Sequence, residues 1–221
     1  GSDLDVLFVT DAPTRELPRL QQAALDLMDL LSRRTEHGVV FQMDARLRPD
    51  GDAGLLVNTV SAYEEYYRRR AQLWEIQAIS RARFIAGNAA VGEQFQRLAA
   101  ALTDFRPANV AAEFGLATTA TSRAPSTSTA PRTKPHRQAR GGSAGGLAAY
   151  SSDWKQKIHQ MRMRIEKERT PSGQDELAIK TGQGGLVDVE FIAQALCLEH
   201  GWQEANTVRA LERARRRQLL P

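Results

Sequence analysis

From Arg106 to about Gly146 the chain is dense in Ala, Ser, Thr, Pro, Arg and Gly and holds few large apolar residues. Such a stretch cannot bury enough surface to offset the entropy lost on ordering, so it reads as a disordered linker or insertion. Whatever core exists must therefore come from residues 1–105 and 148–221 of the 221-residue chain, with 106–147 between them. That length suits one good domain, or one small domain with a helical appendage.

Within the first piece, Leu4 to Val9 is short, apolar and β-prone and reads as a strand. Between Glu16 and Arg34, Leu17, Leu20, Ala24, Leu27, Met28 and Leu31 recur at helical spacing, which predicts an amphipathic helix. Val39 to Leu47 alternates, with Phe41, Met43, Ala45 and Leu47 on one face and Gln42, Asp44 and Arg46 on the other. That is a half-buried strand with a polar working face. A turn at Pro49-Asp50-Gly51-Asp52 and a short strand over Gly54 to Val57 follow. Ser61 with Glu64 forms a candidate capping box for a long helix to about Ile85, and Asn88 can cap another that ends near Phe105. In the second piece, Trp154, Ile158, Met161 and Ile165 mark a helix, Leu177 to Lys180 an extended stretch, and Gly182 to Gly185 a turn into a helix from Leu186 to His200. The fold class expected is α+β, a small sheet with flanking helices followed by a helical segment.

Composition excludes some roles. No apolar run is long enough to cross a bilayer, and the N-terminus lacks the order of a signal peptide. A lone cysteine, Cys197, rules out an internal disulfide framework and fits a reducing compartment, so the expected location is cytoplasmic. A net charge of +4 is too modest to indicate nucleic-acid binding, and the arginines at 209, 213, 215, 216 and 217 read as a solvated helix face. His37, His136, His159 and His200 share no zinc-ligand spacing. Trp74, Trp154, Trp202, Tyr63, Tyr66 and Tyr67 read as packing residues.

The carboxylates point to chemistry. Asp3 and Asp5, one residue apart on a strand, project from the same face about 7 Å apart. Two acids so placed can share hard divalent cations, which take oxygen ligands. If the second strand neighbours the first, Asp44 joins them, giving the arrangement of two-metal phosphoryl or nucleotidyl transfer. An Asp-x-Asp pair taken alone more often serves only solubility; the third acid, and a preceding Gly1-Ser2 turn able to offer N–H groups and a hydroxyl to a triphosphate, favour the enzyme. Arg46 and Arg48 fall on the face of Asp44 by alternation. Either they clamp phosphate or they neutralise the acids.

Gly1-Ser2-Asp3-Leu4-Asp5 resembles the Gly-Ser-x-Asp-x-Asp signature of nucleotidyltransferases, and Asp44-Ala45-Arg46-Leu47-Arg48-Pro49 through Val57 resembles the third-acid motif of glutamine synthetase adenylyltransferases. Trp74 to Ala78 with Arg81-Ala82-Arg83, and Lys180 through Gly184-Gly185-Leu186-Val187-Asp188-Val189-Glu190-Phe191, resemble two further blocks of that family in the same order. The resemblance implies a nucleotidyltransferase domain that moves AMP from ATP to a tyrosine of glutamine synthetase. Asp3, Asp5 and Asp44 would bind Mg2+, Gly1 and Ser2 would hold the triphosphate, and Asp44 would help take the tyrosine proton. It also implies glutamine synthetase and a PII signalling protein as partners. The wording at Asp44 and at Gly184 to Phe191 is closer to the adenylylating half than to the half that removes AMP by phosphorolysis. A PII uridylyltransferase fits the later blocks less well, and a non-catalytic module binding glutamine synthetase or PII is the reading from a different class. The family's upstream strand is not in this sequence, which carries the expectation of weak or no activity for this chain alone. Lys180, Asp188 and Glu190 stand out without a role, and a buried ion pair to a nearby arginine suits Glu190 at least as well as catalysis does.

Overall fold

The structure, a computed structural model, describes residues 3–39, 41–115, 147–170 and 178–220. The stretch Leu4 to Val9 forms not one strand but two, β1 (Leu4–Asp5) and β2 (Phe8–Thr10), because the chain changes neighbours between them. β1 pairs in parallel with β3 (Met43–Asp44), and β2 pairs in parallel with β4 (Val57–Thr59). Parallel neighbours need a crossover, and both connections run through α1 (Leu17–Ser32). The class is thus α+β, with two small parallel pairs among many helices.

α1 packs through Leu20, Ala24 and Met28 onto Val6, Phe8, Ala45, Leu56 and Val57. Leu27, expected on that face, is 42% exposed. The helix also reaches the sheet through a polar contact: the Gln21 carboxamide donates to the Val57 carbonyl at 2.7 Å and accepts from the Val57 N–H at 2.9 Å. It thereby satisfies β4 on the edge away from β2.

The strand expected over 39–47 pairs only at Met43–Asp44 and then folds into a turn. Arg48 N–H donates to the Ala45 carbonyl at 3.3 Å and Gly51 N–H to the Arg48 carbonyl at 3.0 Å. Asp50 is left-handed at φ 61° and leads into a 3-10 turn at Gly51–Ala53. A Cβ on Gly54 would lie 1.8 Å from the Pro49 carbonyl oxygen, so only glycine closes this loop.

The single helix expected from Ser61 to Ile85 is two, α2 (Val60–Arg69) and α3 (Leu73–Ile79). Thr59, not Ser61, caps α2, accepting from Ala62 N–H at 3.1 Å. A capping box between Gln72 and Glu75 starts α3, with Gln72 N–H donating to Glu75 Oε2 at 2.7 Å. Asn88 caps α4 (Ala89–Leu102) as expected, its side chain accepting from Ala90 and Val91.

Helical order continues past Phe105 into α5 (Pro107–Glu113), where composition alone predicts a linker. Val110 and Phe114 supply the reason: both are buried, at 3% and 1% exposure, in the main core. On the far side of 116–146, which lies outside the described residues, Leu147 enters the same core. Phe105 sits at its centre with edge-on rings from Phe114, Tyr150 and Trp154 at 6.0, 5.1 and 5.2 Å. Its N–H donates to the Leu198 carbonyl at 2.8 Å, which ties the first piece to α7 (Leu186–His200). Cys197 is buried on this helix, where desolvation raises its thiol pKa, as suits an inert packing residue.

α6 (Trp154–Arg169) carries a buried arginine, Arg162, that fixes the glycine-rich turn. Its guanidinium binds Asp188 and donates to the Gly182 carbonyl at 2.9 Å, while Asp188 also accepts from Gly184 N–H at 2.6 Å. The Leu186 and Val187 N–H groups at the start of α7 donate to the Ile179 and Lys180 carbonyls. Those donors are therefore used within the turn. Of the extended stretch expected over Leu177 to Lys180, Leu177 lies outside the described residues, and 178–180 leads into the turn without forming a strand. The tail arginines lie on α8 (Thr207–Arg216) and just beyond it, with Arg213 and Arg217 over the buried Trp202 ring at 4.6 and 5.7 Å.

Two substitutions test this packing. Phe114→Ala should cost about 3–5 kcal/mol in urea denaturation, whereas a residue in an unstructured linker would cost nothing. Arg162→Met should cost about 2–3 kcal/mol, since it leaves Asp188 without its charged hydrogen bond. An unchanged midpoint in either variant contradicts the corresponding contact.

Candidate active site

The parallel register places Asp5 opposite Asp44. Leu4 N–H donates to the Gln42 carbonyl and Val6 N–H to the Asp44 carbonyl, both at 2.7 Å, so the two carboxylates are carried by adjacent, hydrogen-bonded backbone. Asp3 lies just before β1, two residues from Asp5, and its charge acts on the Asp5 carboxyl. Gly1 and Ser2, expected to hold a triphosphate, lie outside the described residues.

The electrostatics show the crowding. Asp5 is an exposed residue, but its carboxyl lies against protein on one side. That burial, followed by the charges of Asp44 and Asp3, raises its pKa above the ordinary carboxylate value, with Arg46 and Arg81 pulling the other way. Asp44 moves in the opposite direction. Hydrogen bonds from the Arg46 side chain hold its pKa down, against a smaller push from burial. Arg46 Nε donates to Oδ1 at 3.0 Å and to Oδ2 at 2.7 Å, Nη2 also binds Oδ2, and the Arg46 backbone N–H donates to Oδ1 at 2.9 Å.

Arg48 does something different. Its side chain is 13% exposed and turned inward. Nη1 donates to the Ala45 carbonyl at 2.8 Å and Nε to the Gly54 carbonyl at 3.4 Å, with Asp52 at 3.6 Å from Nη2. Strand alternation placed both arginines beside Asp44. The strand ends at Asp44; Arg46 bonds Asp44 directly, whereas Arg48 lines the same cleft and acts on Asp44 through its charge alone.

Further residues brace this turn. Tyr67 hydroxyl donates to the Leu47 carbonyl at 2.8 Å, and Arg70 binds Asp50 through Nη1 at 2.5 Å and Nη2 at 3.3 Å. Tyr63 hydroxyl donates to the Phe8 carbonyl at 3.4 Å, on the strand that follows the first acids. Tyr63 and Tyr67 are fully buried, as their packing role predicts, Tyr66 is partly so, and desolvation pushes the Tyr63 hydroxyl above its ordinary pKa. Trp74 is 45% exposed and departs from that reading. Nothing local in the sequence marks Tyr67 or Arg70 as supports, because their partners lie 20 residues away.

A cleft of about 370 Å3 opens beside the acids, between α1 at Leu25 and Met28 and the segment carrying Met43, Asp44, Arg46 and Asp52, with Asp3 at its edge. It is a size that admits a small ligand. Arg81, whose charge acts on Asp5, pairs with Glu190 at 3.4 Å and donates to the Ala205 carbonyl at 3.2 Å. Glu190 thus forms the expected ion pair with an arginine, though a half-exposed one, and Asp188 serves the glycine turn.

The donor set suits a hard cation. It is three carboxylates, one with a pKa raised first by burial and then by the charges of the others, and a guanidinium already drawn to another. Among the described residues no group of three or more acidic, histidine or cysteine side chains is gathered closely enough to hold a metal ion, and the Asp44 carboxylate is engaged by Arg46.

Residues 1–98 match the family model for glutamate-ammonia ligase adenylyltransferase, and residues 152–221 match that for GlnD PII-uridylyltransferase. The later blocks thus also resemble a PII uridylyltransferase, the reading expected to fit them less well. The chain is 34% identical over 210 residues to the bifunctional glutamine synthetase adenylyltransferase/adenylyl-removing enzyme of Streptomyces avermitilis, a match covering 92% of this chain and 17% of that protein. Enzymes of the same name from Chromobacterium violaceum and Haemophilus ducreyi are each 31% identical, over 96% and 90% of the chain and 18% of each relative. The chain thus spans under a fifth of the length of these relatives, and no helix among its described residues is long and apolar enough to cross a membrane. In every one of the three, nearly the whole of this chain is matched, and it belongs to the glutamine synthetase adenylyltransferase family.

Proposed function

We propose that this chain carries a nucleotidyltransferase-type site that moves AMP from ATP to a tyrosine of glutamine synthetase. The observation that carries the reading is Asp5 and Asp44 in register on paired parallel strands, beside a cleft of suitable size. The names of the relatives supply the reaction and the acceptor protein. Asp3, Asp5 and Asp44 would hold Mg2+. When bound, that ion supplies neutralisation of charge on the phosphates. Gly1 and Ser2 would bind the triphosphate, and the acceptor hydroxyl would give up its proton to this acid cluster. Asp44 in its paired state is a weak base for that step, because Arg46 holds its proton affinity down.

The adenylyl-removing reaction uses the same acids with phosphate as the nucleophile, and the relatives' names include both activities. The PII signalling protein is the partner suggested by the match of residues 152–221. A cytoplasmic setting accords with the lone buried thiol.

Incubation of the chain with α-labelled ATP, Mg2+ and unmodified glutamine synthetase should place label on a tyrosine at a low rate, with Asp5→Asn and Asp44→Asn each slowing that transfer about 10²–10³-fold. Release of label from adenylylated glutamine synthetase by phosphate, with no forward transfer, would instead favour the removing half. Calorimetric Mg2+ titration that is identical in wild type and Asp5→Asn would sink the site assignment.

The pH dependence has a definite sign. A proton competes with the cation for Asp5, and a raised pKa means that protonation begins at higher pH than for an ordinary aspartate near 3.9. Mg2+ affinity should therefore fall on acidification while ordinary aspartates are still charged. A profile that breaks only below the ordinary value would contradict the crowding at Asp5.

A further inference from the structure

The two arginines of the 45–54 turn are used in opposite ways. Arg48 is spent on the turn's own carbonyls. Arg46 contributes nothing to the turn through its side chain, which is 67% exposed and lies wholly on Asp44. The guanidinium engages both carboxylate oxygens, so a cation that approaches Asp44 on that edge competes with Arg46 for it.

We infer that Arg46 is an internal counter-ion which a divalent cation displaces from Asp44, and that the released guanidinium then binds the phosphates of a nucleotide. The inference rests on the reading of the acids as a cation site and deepens it, joining the phosphate-clamp and neutralising alternatives as successive states of one residue.

Three features make the exchange feasible. An exposed ion pair contributes little net stability, so its loss is small beside the attraction of a divalent ion for three carboxylates. The Arg46 backbone N–H keeps its 2.9 Å hydrogen bond to Asp44 Oδ1 whatever the side chain does, so the carboxylate retains one anchor when the guanidinium leaves. The turn itself stays put, being held by Arg48, by Tyr67 on the Leu47 carbonyl and by Arg70 on Asp50. Only a side chain has to move. Its destination is at hand, since Arg46 already lines the cleft with Arg48 and Asp52. Cation and nucleotide would then bind cooperatively through this residue, each favouring the arrangement the other needs.

The test uses opposite signs. Titrated with Mn2+ in the absence of nucleotide, Arg46→Gln should bind the ion about two- to fivefold more tightly than wild type, the range set by the strength of exposed ion pairs. With EDTA present, Asp44→Asn should bind ATP more tightly than wild type, because Arg46 is free, and Asp44→Asn/Arg46→Gln should lose that gain. Weaker Mn2+ binding by Arg46→Gln would overturn the inference, because it would make Arg46 a brace for Asp44. A gain in ATP affinity that persists in the double variant would also overturn it, by reducing the effect to removed repulsion. If wild type binds no Mn2+ through Asp5, the cation site itself is wrong and the inference falls with it. If Mn2+ binds but either sign fails, only the inference falls.

Discussion

Two backbone hydrogen bonds, Leu4 N–H to Gln42 and Val6 N–H to Asp44, fix the register of β1 on β3, and the candidate site depends on that register. A slip of one residue would turn Asp5 and Asp44 to opposite faces and separate the acids. A pairing of two residues per strand is too short to hold itself. It is held from outside: by α1 packed through Leu20, Ala24 and Met28, by the Gln21 carboxamide on Val57, and by the tyrosines of α2 on the carbonyls of Phe8 and Leu47. The acids can therefore sit together despite their repulsion, because the surrounding structure bears the cost.

The same dependence on distant support runs through the second half of the chain. Phe105, Phe114, Leu147 and Trp154 form one aromatic and apolar cluster with α2, α4 and α7, so the residues on either side of 116–146 share a core. Arg81 joins α7, through Glu190, to the electrostatics of Asp5. Residues 152–221 are in this way more than an appendage: they pack against the helices that position the first acids.

The sequence made some of this legible and hid the rest for physical reasons. Asp3, Asp5 and Asp44 stand out because alternation on short strands is a local property, and the cap at Asn88 is local too. Alternation gives no sign that the Arg48 side chain bonds the turn's own carbonyls rather than Asp44, because Pro49, left-handed Asp50 and Gly54 fold the chain back there. The break between α2 and α3 was missed because Ser61 and Glu64 resemble a capping box, while the stop is set by Glu75 binding Gln72 and Tyr66. α5 was missed because Val110 and Phe114 are sparse in a polar stretch, and only the waiting ring of Phe105 makes them sufficient. Arg81, Tyr67 and Arg70 are supports whose partners lie far along the chain, and periodicity carries no information about such pairs.

The central claim is that Asp5 and Asp44 form one cation site on paired strands. Paramagnetic broadening of backbone amide signals by substoichiometric Mn2+ tests it most directly, because the effect falls steeply with distance from the ion. The account predicts that Asp5, Val6, Asp44 and Arg46 broaden first and together, and that Asp5→Asn abolishes the effect at all four. Broadening centred on another acidic stretch, such as Glu64 and Glu65 on α2, with the Asp5 and Asp44 signals unaffected, would contradict it.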